Sequence, residues 1–174
     1  MNRTILSAAL GLALAAGCGR HSASVTGAAD SVPPNENAGP SLNLRLLGVD
    51  RGDWMSARMR IQAVQVKGGG KVLADAVKTP EVELAQMDQA WLVTSFPAPP
   101  DMDDVEFVVS FAGGAVANGR ASFDVDARCQ TLRIAGKLSR AAQRGHAVIQ
   151  LDLARSFVPS SAGMMLVPHF QLVY

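Results

Sequence analysis

Residues 105–111 read Val-Glu-Phe-Val-Val-Ser-Phe and have the clearest alternating pattern in the chain. Every second residue is apolar: Val105, Phe107, Val109 and Phe111. Side chains two positions apart in a β-strand point to the same face of the sheet. The pattern therefore predicts a strand with one buried face, and the glycines at positions 113 and 114 are predicted to end it.

Comparable short runs continue on both sides of this stretch, each bounded by Gly, Pro, Asn or Asp. They cover residues 42–46, 59–66, 82–84, 91–96, 123–125, 132–138, 149–153 and 165–174, with shorter pieces near Val72 and Val116. The step from Ile61 to Val64 breaks the alternation and predicts a β-bulge. Asn118-Gly119 predicts a hairpin turn. Pro168 cannot donate to a strand ladder, so the last strand is predicted to be an edge strand or to bulge there.

The chain shows no convincing helical period over ten or more residues, which predicts an all-β protein. Strands with one apolar face need a second sheet to cover them. We therefore expect a two-sheet antiparallel β-sandwich, immunoglobulin-like or prealbumin-like, with about seven to nine strands over residues 41–174. Closure of one sheet on itself is the alternative.

The N-terminal segment has the features of an export signal. Arg3 is followed by an apolar run over residues 5–16, which is far shorter than the ~20 residues of a membrane-spanning helix. The run ends in Leu14, Ala15, Ala16, Gly17 and Cys18, a pattern that resembles a bacterial lipobox. The alternatives are a plain secretory signal with an incidental cysteine, or a buried apolar segment.

The lipobox resemblance implies that residues 1–17 are a signal peptide and that Cys18 carries the lipid, so that the partner of the N-terminus is a membrane. Gly19 is not the aspartate that retains such proteins in the inner membrane, which implies the outer membrane of the cell envelope, facing the periplasm or the surface. Residues 18–40 are rich in Ser, Ala, Gly, Pro and Asn and predict a flexible tether. A linker of about 22 residues would span ~25 Å.

Charge and cysteine content exclude several classes of protein. The chain has 16 Lys and Arg against 15 Asp and Glu, so it lacks the excess of positive charge that is typical of nucleic-acid-binding proteins. It has two cysteines. If Cys18 carries lipid, Cys129 has no partner within the chain and the fold does not depend on disulfides. We expect Cys129 to be a buried, inert thiol.

The C-terminal half resembles the bacterial domain of unknown function 4382 family. The resemblance rests first on the predicted strand and the residues after it, VIQLDLARSFV at residues 148–158. It also rests on the turn residues Ser161, Ala162 and Gly163 and on the strand residues Met165, Leu166, Val167 and Pro168. Residues 59–66 with the glycines after them, and residues 82–84, match earlier strands of the family. The resemblance implies a lipid-anchored β-sandwich of unknown role.

Four carboxylates lie close together after the proline-rich stretch at residues 97–100: Asp101, Asp103, Asp104 and Glu106. Calcium takes oxygen ligands of this kind, although the spacing is not that of an EF-hand loop. The hypothesis is a calcium site, and the alternative is an acidic, solvated turn. No other cofactor is expected.

The remaining candidates are single residues or short motifs. Arg51, Gly52 and Asp53 form a tripeptide that some adhesive proteins use, and ordinary turn chemistry explains it equally well. Trp54 and Trp91 would form a glycan platform if both were exposed on one face, whereas burial would make them structural. His146 and His169 lack further metal ligands in sequence and are interpreted as ordinary strand histidines.

The sequence contains no H-E-x-x-H, G-x-S-x-G or C-x-x-C motif and no glycine-rich phosphate loop. We therefore interpret the protein as not an enzyme. The preferred hypothesis is a noncatalytic envelope interaction module with a protein or glycan partner. A calcium-dependent or glycan-binding module is the second hypothesis, and a hydrolase with a site dispersed over loops is the third.

Overall fold

A computed structural model of the chain describes residues 39–127 and 130–174. The predicted signal peptide (1–17), Cys18, most of the predicted tether and Cys129 lie outside the described residues. The first strand begins at Ser41.

The described residues form twelve strands and two short helices. The strands are β1 Ser41–Val49, β2 Ser56–Gly68, β3 Lys71–Ala74, β4 Glu81–Glu83, β5 Trp91–Pro97, β6 Asp104–Ala117, β7 Ser122–Asp126, β8 Thr131–Lys137, β9 His146–Asp152, β10 Phe157–Ser160, β11 Gly163–Leu166 and β12 Phe170–Val173. The helices are α1 Leu138–Arg144 and α2 Leu153–Ser156. In the part of the chain that the structure covers, neither helix is long and apolar enough to cross a membrane.

The strands form two sheets, which confirms the predicted all-β sandwich class. The four-stranded sheet has the order β12-β9-β1-β5. The eight-stranded sheet has the order β10-β11-β7-β6-β2-β3, with β4 also pairing with β2 and β8 with β6. The predicted strand number, about seven to nine, was too low: β10 was not among the predicted strands, and the predicted last strand is two strands, β11 and β12.

The prediction of purely antiparallel sheets was wrong. β1 pairs with β9 in parallel, and β11 pairs with β7 in parallel. The physical reason for the first pair is the connection through α1, which ends at Gly145 with a φ of 75°. Gly145 O accepts a hydrogen bond of 3.3 Å from Asn43 N, so β9 starts beside the start of β1 and runs the same way.

The alternating stretch at residues 105–111 lies in β6, at the centre of the eight-stranded sheet. Its four alternating apolar residues are buried, as predicted: Val105, Phe107, Val109 and Phe111. The ring of Phe107 meets that of Phe96 on β5 edge to face, with 5.6 Å between ring centroids. This contact joins the two sheets through the core, since β5 belongs to the four-stranded sheet.

β6 does not end at the two glycines, contrary to prediction, and continues to Ala117. Gly113 has a φ of 120°, and a side chain at Gly114 would collide with the carbonyl oxygen of Arg58 on β2. The glycines therefore allow a bend and a close strand contact within one continuous strand.

Two predicted strands were also too long. Leu138 begins α1 instead of ending β8, and Leu153 begins α2 instead of ending β9.

Pro168 splits the predicted last strand into β11 and β12, which belong to different sheets. A residue without an N–H is well suited to the crossover, where no ladder needs a donor.

Candidate binding groove

An apolar groove of about 510 Å³ lies where the described chain begins. Its walls come from the first described residues, the β5–β6 loop and α1, and include Pro40, Ala98, Pro99, Pro100, Leu138 and Ala142. A mostly apolar concavity with a few polar groups at its edge is the usual form of a ligand site.

Local sequence explains how the groove forms. Pro99 and Pro100 cannot continue the strand ladder of β5, and Met102 N closes a turn on Pro99 O at 3.3 Å. Ala98 N donates to Pro40 O at 3.1 Å, which fixes the first described residues against the loop. A side chain at Gly39 would collide with the Ala98 carbonyl, so this contact needs glycine.

The rim of the groove is charged. Asp103 Oδ1 accepts a 2.9 Å hydrogen bond from Ser139 N, in the first turn of α1, and Asp103 O accepts one of 2.8 Å from Leu138 N. Lys137 Nζ lies 3.4 Å from Asp103 Oδ2 and 2.7 Å from Asp104 Oδ1. Asp103 thus satisfies α1 backbone donors that no N-cap side chain satisfies.

These contacts shift two pKa values. The hydrogen bond from Ser139 N is the largest cause that lowers the pKa of Asp103, and the Ser139 hydroxyl and Lys137 add to it. The hydrogen bond to Asp104 is the largest cause that raises the pKa of Lys137, and Asp103 adds to it.

The Asp103 contacts should stabilise the fold above the ordinary Asp pKa of 3.8 and cease to do so as the pH falls below it, because the folded pKa is the lower one. The contribution of the Lys137 contacts to stability is fully present below pH 10.5, the ordinary Lys pKa, and is lost as the pH rises above that value.

Asp103→Asn should be less stable than the native chain at pH 7, and the difference in stability should shrink below pH 3.8. Urea unfolding across this range checks it, with Asp101→Asn as control. A difference that stays constant would contradict it.

The structure places the four predicted calcium ligands on one loop and strand but gives three of them cationic neighbours. Asp103 and Asp104 contact Lys137, and Glu106 Oε1 lies 3.5 Å from Arg133 Nη1. Asp101 is exposed in the loop. Within residues 39–127 and 130–174, no three His, Cys, Asp or Glu residues are arranged to hold a metal ion. The calcium site stays a prediction.

The two tryptophans are half-buried and serve packing. The Trp54 ring meets those of Phe123 and Phe157 edge to face, at centroid distances of 6.4 and 5.8 Å. Trp91 starts β5 and donates from Nε1 to Glu83 O at 3.1 Å. Neither indole is presented as an open platform, which favours the structural interpretation.

The other candidates from the sequence lie apart. Arg51, Gly52 and Asp53 form an exposed turn closed by a 3.0 Å hydrogen bond from Trp54 N to Arg51 O. His146 begins β9, whereas His169 accepts through its carbonyl from Asp152, the last residue of that strand. The histidines therefore lie at opposite ends of β9 and do not form one site.

Comparison of the chain with protein-family models, with curated proteins and with solved structures finds no match. The resemblance to the domain of unknown function 4382 family stays a prediction.

Proposed function

We propose that this protein is a lipid-anchored, noncatalytic interaction module of the bacterial outer membrane, facing the periplasm or the cell surface. The observation that carries the proposal is the sequence from Leu14 to Cys18 at the end of a short apolar run. Two or three acyl chains on Cys18 would hold the protein stably, since each buried CH₂ contributes about 0.8 kcal/mol.

The position of the groove supports an interaction role. Gly39 and Pro40 line it, so the recess lies at the first described residues of the domain. Its walls are largely apolar, and Asp103, the charged residue that lines it, contacts Lys137. An apolar side chain of an envelope protein suits such walls better than a glycan, whose hydroxyl groups would need hydrogen-bond partners.

The second hypothesis, a calcium-dependent or glycan-binding module, has less support. Three of the four carboxylates that would hold calcium contact Lys137 or Arg133. The indoles that would stack on a sugar pack against other side chains. We therefore prefer the interaction module to this hypothesis and to the hydrolase hypothesis.

Cys18→Ser should move the protein from the membrane fraction to the soluble fraction and should abolish labelling by radioactive palmitate. The reason is that serine cannot form the thioether to diacylglycerol, and without acyl chains the predicted tether has little apolar surface to insert. Fractionation of cells that express each variant checks the result.

Cys129→Ser is the matched control, since it removes the other cysteine and should leave both the fractionation and the labelling unchanged. If Cys18→Ser stayed in the membrane fraction, the lipid anchor would be disproved.

A further inference from the structure

One end of the domain brings together the first described residues, the β2–β3 turn and α1. Ala98 N donates to Pro40 O at 3.1 Å, which fixes these first residues against the β5–β6 loop. Met102 of that loop packs against the β2–β3 turn, since a side chain at Gly68 would collide with its sulfur atom. Met102 and residues of α1 also line the apolar groove. The groove, the turn and α1 therefore lie at the end of the domain where the described chain begins.

The helix α1 presents two arginines without a partner at this end. Its residues Leu138 and Ala141 are buried, whereas Arg140 and Arg144 are exposed. Neither guanidinium group forms an ion pair or a hydrogen bond within residues 39–127 and 130–174. The two arginines are four residues apart, so they lie on the same face of the helix, and like charges at this spacing repel each other. An anionic partner from outside the domain would remove this repulsion.

A third cation lies at the same end. Lys71 follows the β2–β3 turn, is exposed and pairs in register with Gly68. As far as the structure describes the chain, its ammonium group has no ion pair either. Three of the four carboxylates of the β5–β6 loop and the start of β6 already contact Lys137 or Arg133, which leaves Asp101. The unpaired side chains of this end are therefore mostly cationic.

Apolar side chains lie beside these cations. Pro40 and Pro100 are exposed at the groove, and Pro99 and Met102 are half-buried in it. On a lipid surface, Lys and Arg side chains are attracted to the phosphates of anionic headgroups, and apolar side chains enter the boundary between headgroups and acyl chains. The combination of unpaired cations and exposed apolar side chains at one end therefore suits a membrane surface.

The distance in sequence to Cys18 favours a membrane over other anionic partners. About 20 residues separate Cys18 from Gly39, and a flexible linker of that length would span ~25 Å. A lipid on Cys18 would thus hold this end of the domain near the headgroups at a high effective concentration. Electrostatic contacts too weak to hold a free protein on a membrane would then suffice to orient an anchored one.

We propose that this end of the domain docks on the membrane surface, where Arg140, Arg144 and Lys71 bind the phosphate groups of anionic phospholipids. The inference rests on the proposed lipid anchor, which brings the domain to the membrane, and adds a second contact that orients it. The groove then opens beside the headgroups. Its protein partner is therefore one that lies in or on the same membrane.

Photo-crosslinking of the full-length protein in cells tests the docking. A benzoylphenylalanine at Gln143, beside the two arginines of α1, should give an adduct with phospholipid, identified by mass spectrometry of the crosslinked peptide. Arg140→Gln combined with Arg144→Gln should reduce the adduct about tenfold. Arg140→Lys combined with Arg144→Lys should keep it, because lysine retains the charge. The same probe at exposed Arg120, in the β6–β7 turn at the opposite end of β6, is the control and should give no phospholipid adduct.

Purified protein in vesicles separates charge from other causes. The adduct at Gln143 should form in phosphatidylcholine vesicles that contain phosphatidylglycerol, should be weak in pure phosphatidylcholine, and should decline as salt is added. The double glutamine variant should keep the thermal midpoint of the native chain, because both arginines are exposed and unpaired. Its loss of adduct would then not result from unfolding.

Several results would overturn the proposal. They are equal adducts in the two kinds of vesicle, an adduct that the double glutamine variant leaves unchanged, an adduct only with protein or glycan, and the absence of any adduct. The same mass spectra report whether the peptide that contains Cys18 is acylated. A phospholipid adduct with unacylated Cys18 would disprove the anchor alone, whereas acylated Cys18 without the adduct would disprove the docking alone.

Discussion

Gly48→Ala should lower the free energy of unfolding by about 3 kcal/mol or more. Gly48 lies in β1 of the four-stranded sheet. It is packed against Leu84, the residue directly after β4 of the eight-stranded sheet. An added methyl group would collide with the carbonyl oxygen of Leu84. That carbonyl cannot easily withdraw, because Leu84 N is hydrogen-bonded to Ala57 O at 2.8 Å. The thermal midpoint should fall by about 10 °C, which calorimetry would measure.

Gly145→Ala is the matched control for this substitution. Gly145 has a φ of 75° and open space around it, so an alanine there would be strained only in its backbone. Its expected cost is about 1 kcal/mol. If the two variants were equally stable, the close contact between Gly48 and Leu84 would not be the cause of the stability lost in Gly48→Ala.

Glu83→Ala should cost about 3 kcal/mol, because one half-buried carboxylate satisfies three donors. Glu83 Oε1 accepts from Ala57 N at 2.6 Å and from Ala85 N at 3.2 Å, and Oε2 accepts from Ser56 Oγ at 2.7 Å. Without the carboxylate, two backbone N–H groups near the start of β2 and the end of β4 lose their acceptor. Urea unfolding of the variant measures the loss.

Glu81→Ala is the control on the same strand. Glu81 is exposed, and its carboxylate forms an ion pair of 3.4 Å with Arg58 Nε at the surface. Such pairs contribute about 0 to 1 kcal/mol, so this variant should be nearly as stable as the native chain. A Glu83→Ala variant no less stable than Glu81→Ala would show that solvent replaces the lost acceptor.

The fold was predictable where a local pattern fixes it. The alternation at residues 105–111 gave the central strand, and the break between Ile61 and Val64 predicted a bulge that the shifted pairing of β2 and β6 confirms. Asn118-Gly119 predicted the turn between β6 and β7, and Gly119 has the expected positive φ of 79°. These features depend on neighbours in sequence, which a single chain displays directly.

The errors occurred where distant parts of the chain decide the structure. Whether Gly114 ends a strand depends on its contact with β2, and whether Pro168 bulges a strand or separates two depends on which sheet each side joins. Such choices are made by tertiary packing and not by local propensity.

The candidate site was predictable only in part, for the same reason. The acidic residues and the prolines of the β5–β6 loop were recognised, but nothing in their spacing indicated that α1 would bring Lys137 and Ser139 to Asp103.

The parallel pairing of β1 with β9 has a consequence for the order in which the chain folds. β1 can pair with β5 early, but its other edge waits for β9, whose residues follow after most of the domain. Closing so long a loop is slow, and an unpaired strand edge can capture another chain in the meantime. A chain that emerges N-terminus first therefore completes its smaller sheet last, and a product truncated before His146 is left with an open edge prone to aggregation.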